Sequence, residues 1–218
     1  MPGPAIGIVM FGDVIESRRS GGRAAGGLRA LAGELDAAYA EERLARFGFT
    51  QGDELQGLLV PTADPFRAVL LAALRPEPIA LRWSIAGGPV DPGSGPATER
   101  SGPAFVLARE ALTQARARRD DLVATTGDPD ADALLDDVAP LLAVLLGDLS
   151  ERQRLLARLL LVERLRKAEA AERLGVSRAT VSVLADRGRV REIERLARAL
   201  GRIVADGVSR TAGPTEVA

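Results

Sequence analysis

The sequence predicts an α+β chain, with a mixed sheet domain over the first 128 residues and an all-helical part after it. Three observations carry this expectation. Strand-length apolar runs alternate with helical periodicity up to residue 126, and only helical periodicity remains beyond residue 133. The charge balance also reverses between the two parts: residues 1–149 carry a net −7 and residues 150–210 a net +7.

Ala5–Phe11 is a compact run rich in Ile and Val and reads as a buried strand. Ser20-Gly21-Gly22 reads as a break. From Ala24 to Arg46 the residues Leu28, Leu31, Leu35 and Tyr39 recur at three-to-four spacing, which is one helical face packed on a core. Phe47–Thr50 and Glu54–Val60 flank Gln51-Gly52-Asp53, a hairpin signal, and Pro61 ends the second arm. Pro65–Leu74 reads as a helix, Ala80–Ala86 as a strand, and the Gly- and Pro-rich Gly87–Ser101 as a loop. Ser101 is placed to cap a helix running to about Arg118, with Pro103 in its first turn. Leu122–Thr126 reads as a fifth strand, Gly127–Asp132 as the domain exit, and Ala133–Leu146 and Ser150–Arg164 as helices.

Two βα units flanking a hairpin are the layout of a split-βαβ, ferredoxin-like sheet with helices mainly on one face. The expected division is a sheet domain at 1–128, a helical linker at 129–149, a helical domain at 150–208, and a small polar tail at 209–218, expected to be disordered.

The 218 residues include no cysteine and no histidine. Disulfides, thiolate nucleophiles, Ser-His pairs and Cys/His zinc sites are therefore excluded. Any chemistry would run on carboxylates, hydroxyls, arginines or a hard metal ion. The N-terminus does not read as a signal peptide, and no apolar stretch approaches membrane-spanning length. A cytoplasmic address with no membrane partner is the expectation.

Residues 166–187 read RKAEAAERLGVSRATVSVLADR, the pattern of a helix-turn-helix. Ala171 lets two helices approach, Gly175 supplies a left-handed corner, and Ser177 caps the second helix. Val176 and Val181 point back to the first helix, while Arg178, Thr180 and Ser182 face outward. Arg178 and Thr180 are the candidates for base or phosphate contact, and Ser177 and Arg187 for phosphate contact. Double-stranded DNA is the expected partner, favoured by the local charge; the plain alternative is a small helical bundle without a DNA role. Arg189, Arg191, Arg195 and Arg198 recur on a following helix, for which a solvated face is the simpler reading.

In the sheet part, Asp13 ends the first strand and Asp53 stands at the hairpin tip, so both carboxylates can converge at one edge. Two hard oxygens are what Mg²⁺ takes when a triphosphate completes its shell. Glu54 is a third metal candidate, although strand alternation turns it away from Asp53. Gly12 offers backbone N–H groups to phosphate, and Ser17, Arg18, Arg19, Gly52 and Arg109 are further ligand-binding candidates. The alternative is an ordinary Gly-Asp turn and a loop-capping Asp. Trp83 and Ile85 share one sheet face and read as core, and Gln56 reads as solvent-facing.

Four stretches, GDVIESR at 12–18, TQGDELQG at 50–57, LRWSIAGGPV at 81–90 and GPAF leading to AREAL at 102–112, together resemble the SatD family. The resemblance spans nearly the whole chain, including the C-terminal helix-turn-helix that many such proteins carry. More distantly, the same stretches are similar to class III nucleotide cyclases and GGDEF cyclases, which implies a palm-type, nucleotide-cyclase-like domain. Aligned on Gly102 and Ala108, the cyclase transition-state Asn and Arg fall on Val106 and Glu110, and the adenine-reading Lys falls on Phe49. Arg109 is one position, about 100° of helix, away from the expected arginine. These departures argue against cyclisation by the usual route. The resemblance implies a homodimeric DNA-binding transcriptional regulator whose first domain binds a nucleotide or nucleotide-derived signal. The alternatives are a Mg²⁺-dependent enzyme acting on nucleoside triphosphates, and a DNA-binding protein whose cyclase-like domain serves only for dimerisation.

Overall fold

Strand β1 (Ala5–Val14) is apolar at nearly every position because both faces of its sheet are covered. The computed structural model describes residues 5–15, 17–50 and 54–212, with the backbone alone for 17–25. Helix α1 (Ser17–Ala38), β2 (Arg43–Phe49), β3 (Glu54–Leu59), α2 (Phe66–Ala73), β4 (Leu81–Val90), α3 (Pro103–Arg118) and β5 (Leu122–Thr125) follow in the expected order. The five strands lie in the order β2-β3-β1-β4-β5. β1 is antiparallel to β3 and β4, β2 is antiparallel to β3, and β5 is parallel to β4. The first four strands have the split-βαβ order, with β5 added at the β4 edge.

Alternation on β1 sorts the two cores. Ile8, Met10 and Val14 join Leu28, Leu31, Leu35 and Phe66 beneath α1 and α2. Val9 and Phe11 face the other way, onto Phe105, Ala108 and Leu112 of α3. Helix α3, the crossover between the parallel strands β4 and β5, thus covers the face opposite α1 and α2, a correction to the expectation of helices mainly on one face.

Several boundaries differ from the expectation. Helix α1 passes through residues 20–22 and ends at Ala38 rather than Arg46, because Arg43–Phe49 is drawn into pairing with β3. Strand β4 continues through Gly87-Gly88-Pro89 because Ala5–Ile8 of β1 offers partners along its whole length. Pro89 costs no ladder bond to β5, which reaches only Ala86. Gly102, not Ser101, occupies the N-cap of α3, and the Ser101 hydroxyl donates to Asp91 instead.

After β5, α4 (Pro129–Gly147) begins on Asp128, whose side chain accepts from the Ala131 amide. The segment expected as a linker packs on the sheet domain through Leu135, Ala139 and Leu142. Helix α5 (Glu151–Ala157) opens with a Ser150–Gln153 capping box and runs into a π-helical turn, Arg158–Val162. Two short helices, α6 (Lys167–Leu174) and α7 (Arg178–Arg187), lead to the long α8 (Val190–Thr211). The tail was expected from Ser209; α8 continues to Thr211, and residues 213–218 lie outside the described residues.

Helix α8 returns to the sheet. A Cβ at Gly87 of β4 would lie 2.1 Å from Val208, and one at Gly207 would lie 2.4 Å from the Thr126 hydroxyl. Leu200, Val204 and Val208 join the core that holds α1, α2 and α4, so the apolar interior is continuous between the sheet and the helical part. The end of α8 is fastened by Arg210, which donates two hydrogen bonds to Asp128 at 2.8 Å each.

Overpacking the β4–α8 contact tests this docking. Gly87→Val is expected to lower unfolding free energy by about 1–3 kcal/mol in urea titrations, and Val208→Ala in the same chain to recover part of that loss. An equal loss with and without Val208→Ala would show that the contact is not the cause. The Arg210 guanidinium holds the Asp128 carboxyl down at about 2. Because the folded value lies below the ordinary one, the latch contributes stability above pH ~4 and loses it as pH falls toward 2. Amide exchange at residues 207–211 is expected to accelerate over that window and, in Asp128→Asn, to be fast already at neutral pH.

Candidate functional site

Three charged side chains stand in a row across one end of the sheet, on the face covered by α3. In the strand registers Glu54 of β3 lies opposite Asp13 of β1, and Asp13 lies opposite Arg82 of β4. Directly opposed residues place their side chains on the same face, with Cβ atoms ~5 Å apart. Asp13 and Glu54 are buried. Each is met by an arginine from α3, and the two arginines are seven residues, two helical turns, apart. Arg116 donates to Asp13 at 3.0 Å through Nε, with Nη2 at 2.8 Å from the second oxygen. Arg109 forks onto both oxygens of Glu54, with Nη2 to Oε1 at 2.8 Å, and its guanidinium lies over the Phe11 ring at 4.4 Å. Gln56 adds a hydrogen bond to Glu54 Oε1 at 2.7 Å.

The structure brings Glu54 beside Asp13. Gly52 and Asp53 lie outside the described residues, as do the side chains of Ser17, Arg18 and Arg19. Gly12 faces the opposite core, where its missing side chain leaves room for the Trp83 ring at 3.2 Å from an ideal Cβ. Gln56, expected in solvent, is buried; residues 97–99 pack on β3, and the Gln56 amide is turned onto Glu54. Trp83 and Ile85 are core residues on the other face, as their alternation implied. Val106 and Glu110 are exposed to solvent. Among the described residues no three acidic side chains gather closely enough to form a metal site by themselves.

In the helical part, Gly175 adopts φ 63°, the left-handed corner between α6 and α7. The Ser177 hydroxyl accepts from the Thr180 amide at 3.0 Å and is 2.9 Å from the Thr180 hydroxyl. Val181 and Ala185 are buried, whereas Ser177, Arg178, Thr180 and Arg187 are exposed and Ser182 is half-buried. Arg178 and Arg187 make no ion pair with the other described residues, nor do Arg189 and Arg195, while Arg164, Arg166, Arg191 and Arg198 each pair with a glutamate. Val183, 48% exposed, stands four residues from exposed Ala179 on the same helix.

The model of the SatD family matches residues 7–133, all of the sheet but the first two residues of β1, and the start of α4. The chain belongs to the SatD family. No curated protein matches this SatD-family chain. A solved bacterial light-regulated adenylyl cyclase is similar over 56% of the chain and 77% of its own length, at 14% identity and a TM-score of 0.42. A regulator of polyketide synthase expression from Bifidobacterium adolescentis is similar over 93% of the chain and 82% of its own, at 18% identity and a TM-score of 0.28.

Within this SatD-family protein, Arg116 is the site residue that sequence reasoning missed. Its only sequence signal is its spacing from Arg109 on α3. The pairing of Asp13 with a residue 103 positions away has no local signature. Glu54 was a candidate from the sequence, and the pairing of β3 with β1 sets it opposite Asp13.

Proposed function

We propose that this SatD-family protein is a DNA-binding transcriptional regulator that reads duplex DNA through α7, with the sheet domain as its signal-receiving and coupling part. The observation that carries the reading is a pair of exposed guanidiniums, Arg178 and Arg187, at the two ends of α7, neither of them in an ion pair with the other described residues. Helices α6 and α7, joined at Gly175, have the order and corner of a helix-turn-helix, with α7 as the recognition helix. Arg178 and Thr180 sit in its first turn, where base edges and phosphates are reached; Ser177 and Arg187 suit phosphate, and Ser182 lines the same face. Ala179 and Val183 add small apolar contacts of the kind that suit thymine methyls. The exposed stripe Leu134, Leu141 and Val144 on α4 favours pairing of two copies, which would give two reading heads.

Retention on double-stranded DNA across a salt series tests this. Arg178→Ala and Arg187→Ala are each expected to reduce the slope of log affinity against log salt by about 1, without changing the melting temperature. Identical retention of the parent and the double variant would end the DNA-reading proposal.

A second reading, a Mg²⁺–nucleotide site at the end of the sheet, is supported by the pairing of two carboxylates with two half-exposed arginines. A cation and a polyphosphate are complementary to those two halves. Asp13 and Glu54 are the hard-oxygen donors that would hold the ion, with Asp53 as a further candidate, and Arg109 and Arg116 would receive phosphate oxygens. The ion would supply charge neutralisation to the phosphates. Mg²⁺ with ATP or GTP is then expected to raise the melting temperature where neither component alone does, and Glu54→Gln to remove the shift; at a hundredfold excess over Kd the gain is ~2.7 kcal/mol. Equal melting with and without the pair would leave the DNA reader alone.

A further inference from the structure

We propose that the cavity enclosed by the sheet, α2, α4 and α5 binds a small apolar molecule bearing one anionic group, of the class of medium-chain carboxylates. The cavity has a volume of about 270 Å³ and lies beneath the sheet, on the face opposite Asp13 and Glu54. Its walls are mostly apolar: Ala72 of α2, Ile79, Trp83 of β4, Leu122 of β5, and Ala143 and Leu146 of α4. Two charged side chains reach it, Asp121 and Arg154.

Their states differ. Asp121 accepts a hydrogen bond from Arg82 Nη2 at 3.0 Å, so its charge is already matched. Arg154 donates to the Leu149 carbonyl at 3.2 Å and makes no ion pair with the other described residues. The same guanidinium also borders a smaller pocket of about 90 Å³ shared with Arg75 and Glu151. A partly apolar ligand gains by covering the Trp83–Leu146 wall, and a carboxylate on that ligand supplies the counter-charge that Arg154 lacks. The volume is near the lower end for ligand sites, which sets the size at a short chain or single ring rather than a nucleotide. An alkyl amine would meet the unmatched Arg154 charge and is disfavoured.

The location gives the site a consequence. The end of α4, at Leu146 and Gly147, and Arg154 of α5 line one side of the cavity, and α5 shares a core with α7 through Leu156, Ala157, Val181 and Ala185. An occupant therefore bears on the joint between the sheet and the last helices. The proposal does not depend on the DNA or nucleotide readings.

Trp83 is the only tryptophan in the chain, so its fluorescence reports the cavity directly. Titration of the full chain with octanoate is expected to change the emission saturably, with octan-1-ol binding more weakly and octylamine not at all. Arg154→Met, which keeps the apolar stem, is expected to weaken octanoate about tenfold or more and leave octan-1-ol unchanged. Arg154→Lys should retain the preference for octanoate, which guards against a loss caused by misfolding. Ala143→Phe, filling the cavity, should abolish the response to both. Equal responses to the three probes, no saturable response, or octanoate binding unaffected by Arg154→Met or by Ala143→Phe would each overturn the proposal.

Discussion

The architecture depends on how closely helix α8 approaches strand β4. With no side chain at Gly87, Val208 can occupy the space where a Cβ would sit, and Gly207 allows the same closeness against Thr126. A third glycine, Gly201, meets Asp64 ahead of α2, where an added Cβ would be 2.8 Å from a carboxylate oxygen. One continuous helix of 22 residues, about 33 Å, therefore starts beside α7 and ends pressed on the sheet. A rigid element anchored at both ends moves as a body. Whatever shifts the sheet end of α8 reaches the end next to α7 without a flexible link between them.

The opposite face of the sheet is built on charge rather than close packing. Taking Asp13 and Glu54 out of water is costly, and α3 offsets that cost with two arginines spaced to reach both carboxylates. The arginines are only half-buried, at 48% and 45% side-chain exposure, so water screens the outer side of each pair. Ser84, on the same face but wholly buried, instead donates to the Ala108 carbonyl at 2.7 Å and fixes α3 to β4. Helix α3 is thus held by a neutral buried bond and apolar contacts, while its ion pairs stay within reach of solvent. That arrangement allows the charges to change partners without releasing the helix.

The features legible in the sequence were those with local causes. The strand and helix order, the Gly175 corner and the Ser177 cap each rest on residues within three or four positions of one another. Features set by distant partners were not legible. The end of α1 at Ala38 follows from β2 pairing with β3, and Gln56 is buried in a strand packed by residues 97–99, about 40 positions later. Of the expected site, Asp13, Glu54 and Arg109 share one face, but Arg116 and the pairing of each carboxylate with an arginine depend on strand register and helix phase together. Arg154 could not be separated by sequence from the other arginines of a basic segment; only the cavity beside it distinguishes it.

The opposed charges of the two parts have a further consequence for how the chain meets a polyanion. A sheet part at −7 fused to helices at +7 is a strong electric dipole along the direction spanned by α8. At physiological salt the screening length is about 8 Å, far less than the ~33 Å of that helix, so the acidic part would not weaken the contacts proposed for α7. At greater distance or lower salt the acidic part is repelled as the basic part is attracted, which orients the molecule before contact. Charge neutrality overall, at −1, therefore conceals a division of labour. The excess acidity lies in the sheet part and α4, and the excess positive charge, Arg178 and Arg187 among it, lies in the helices that follow.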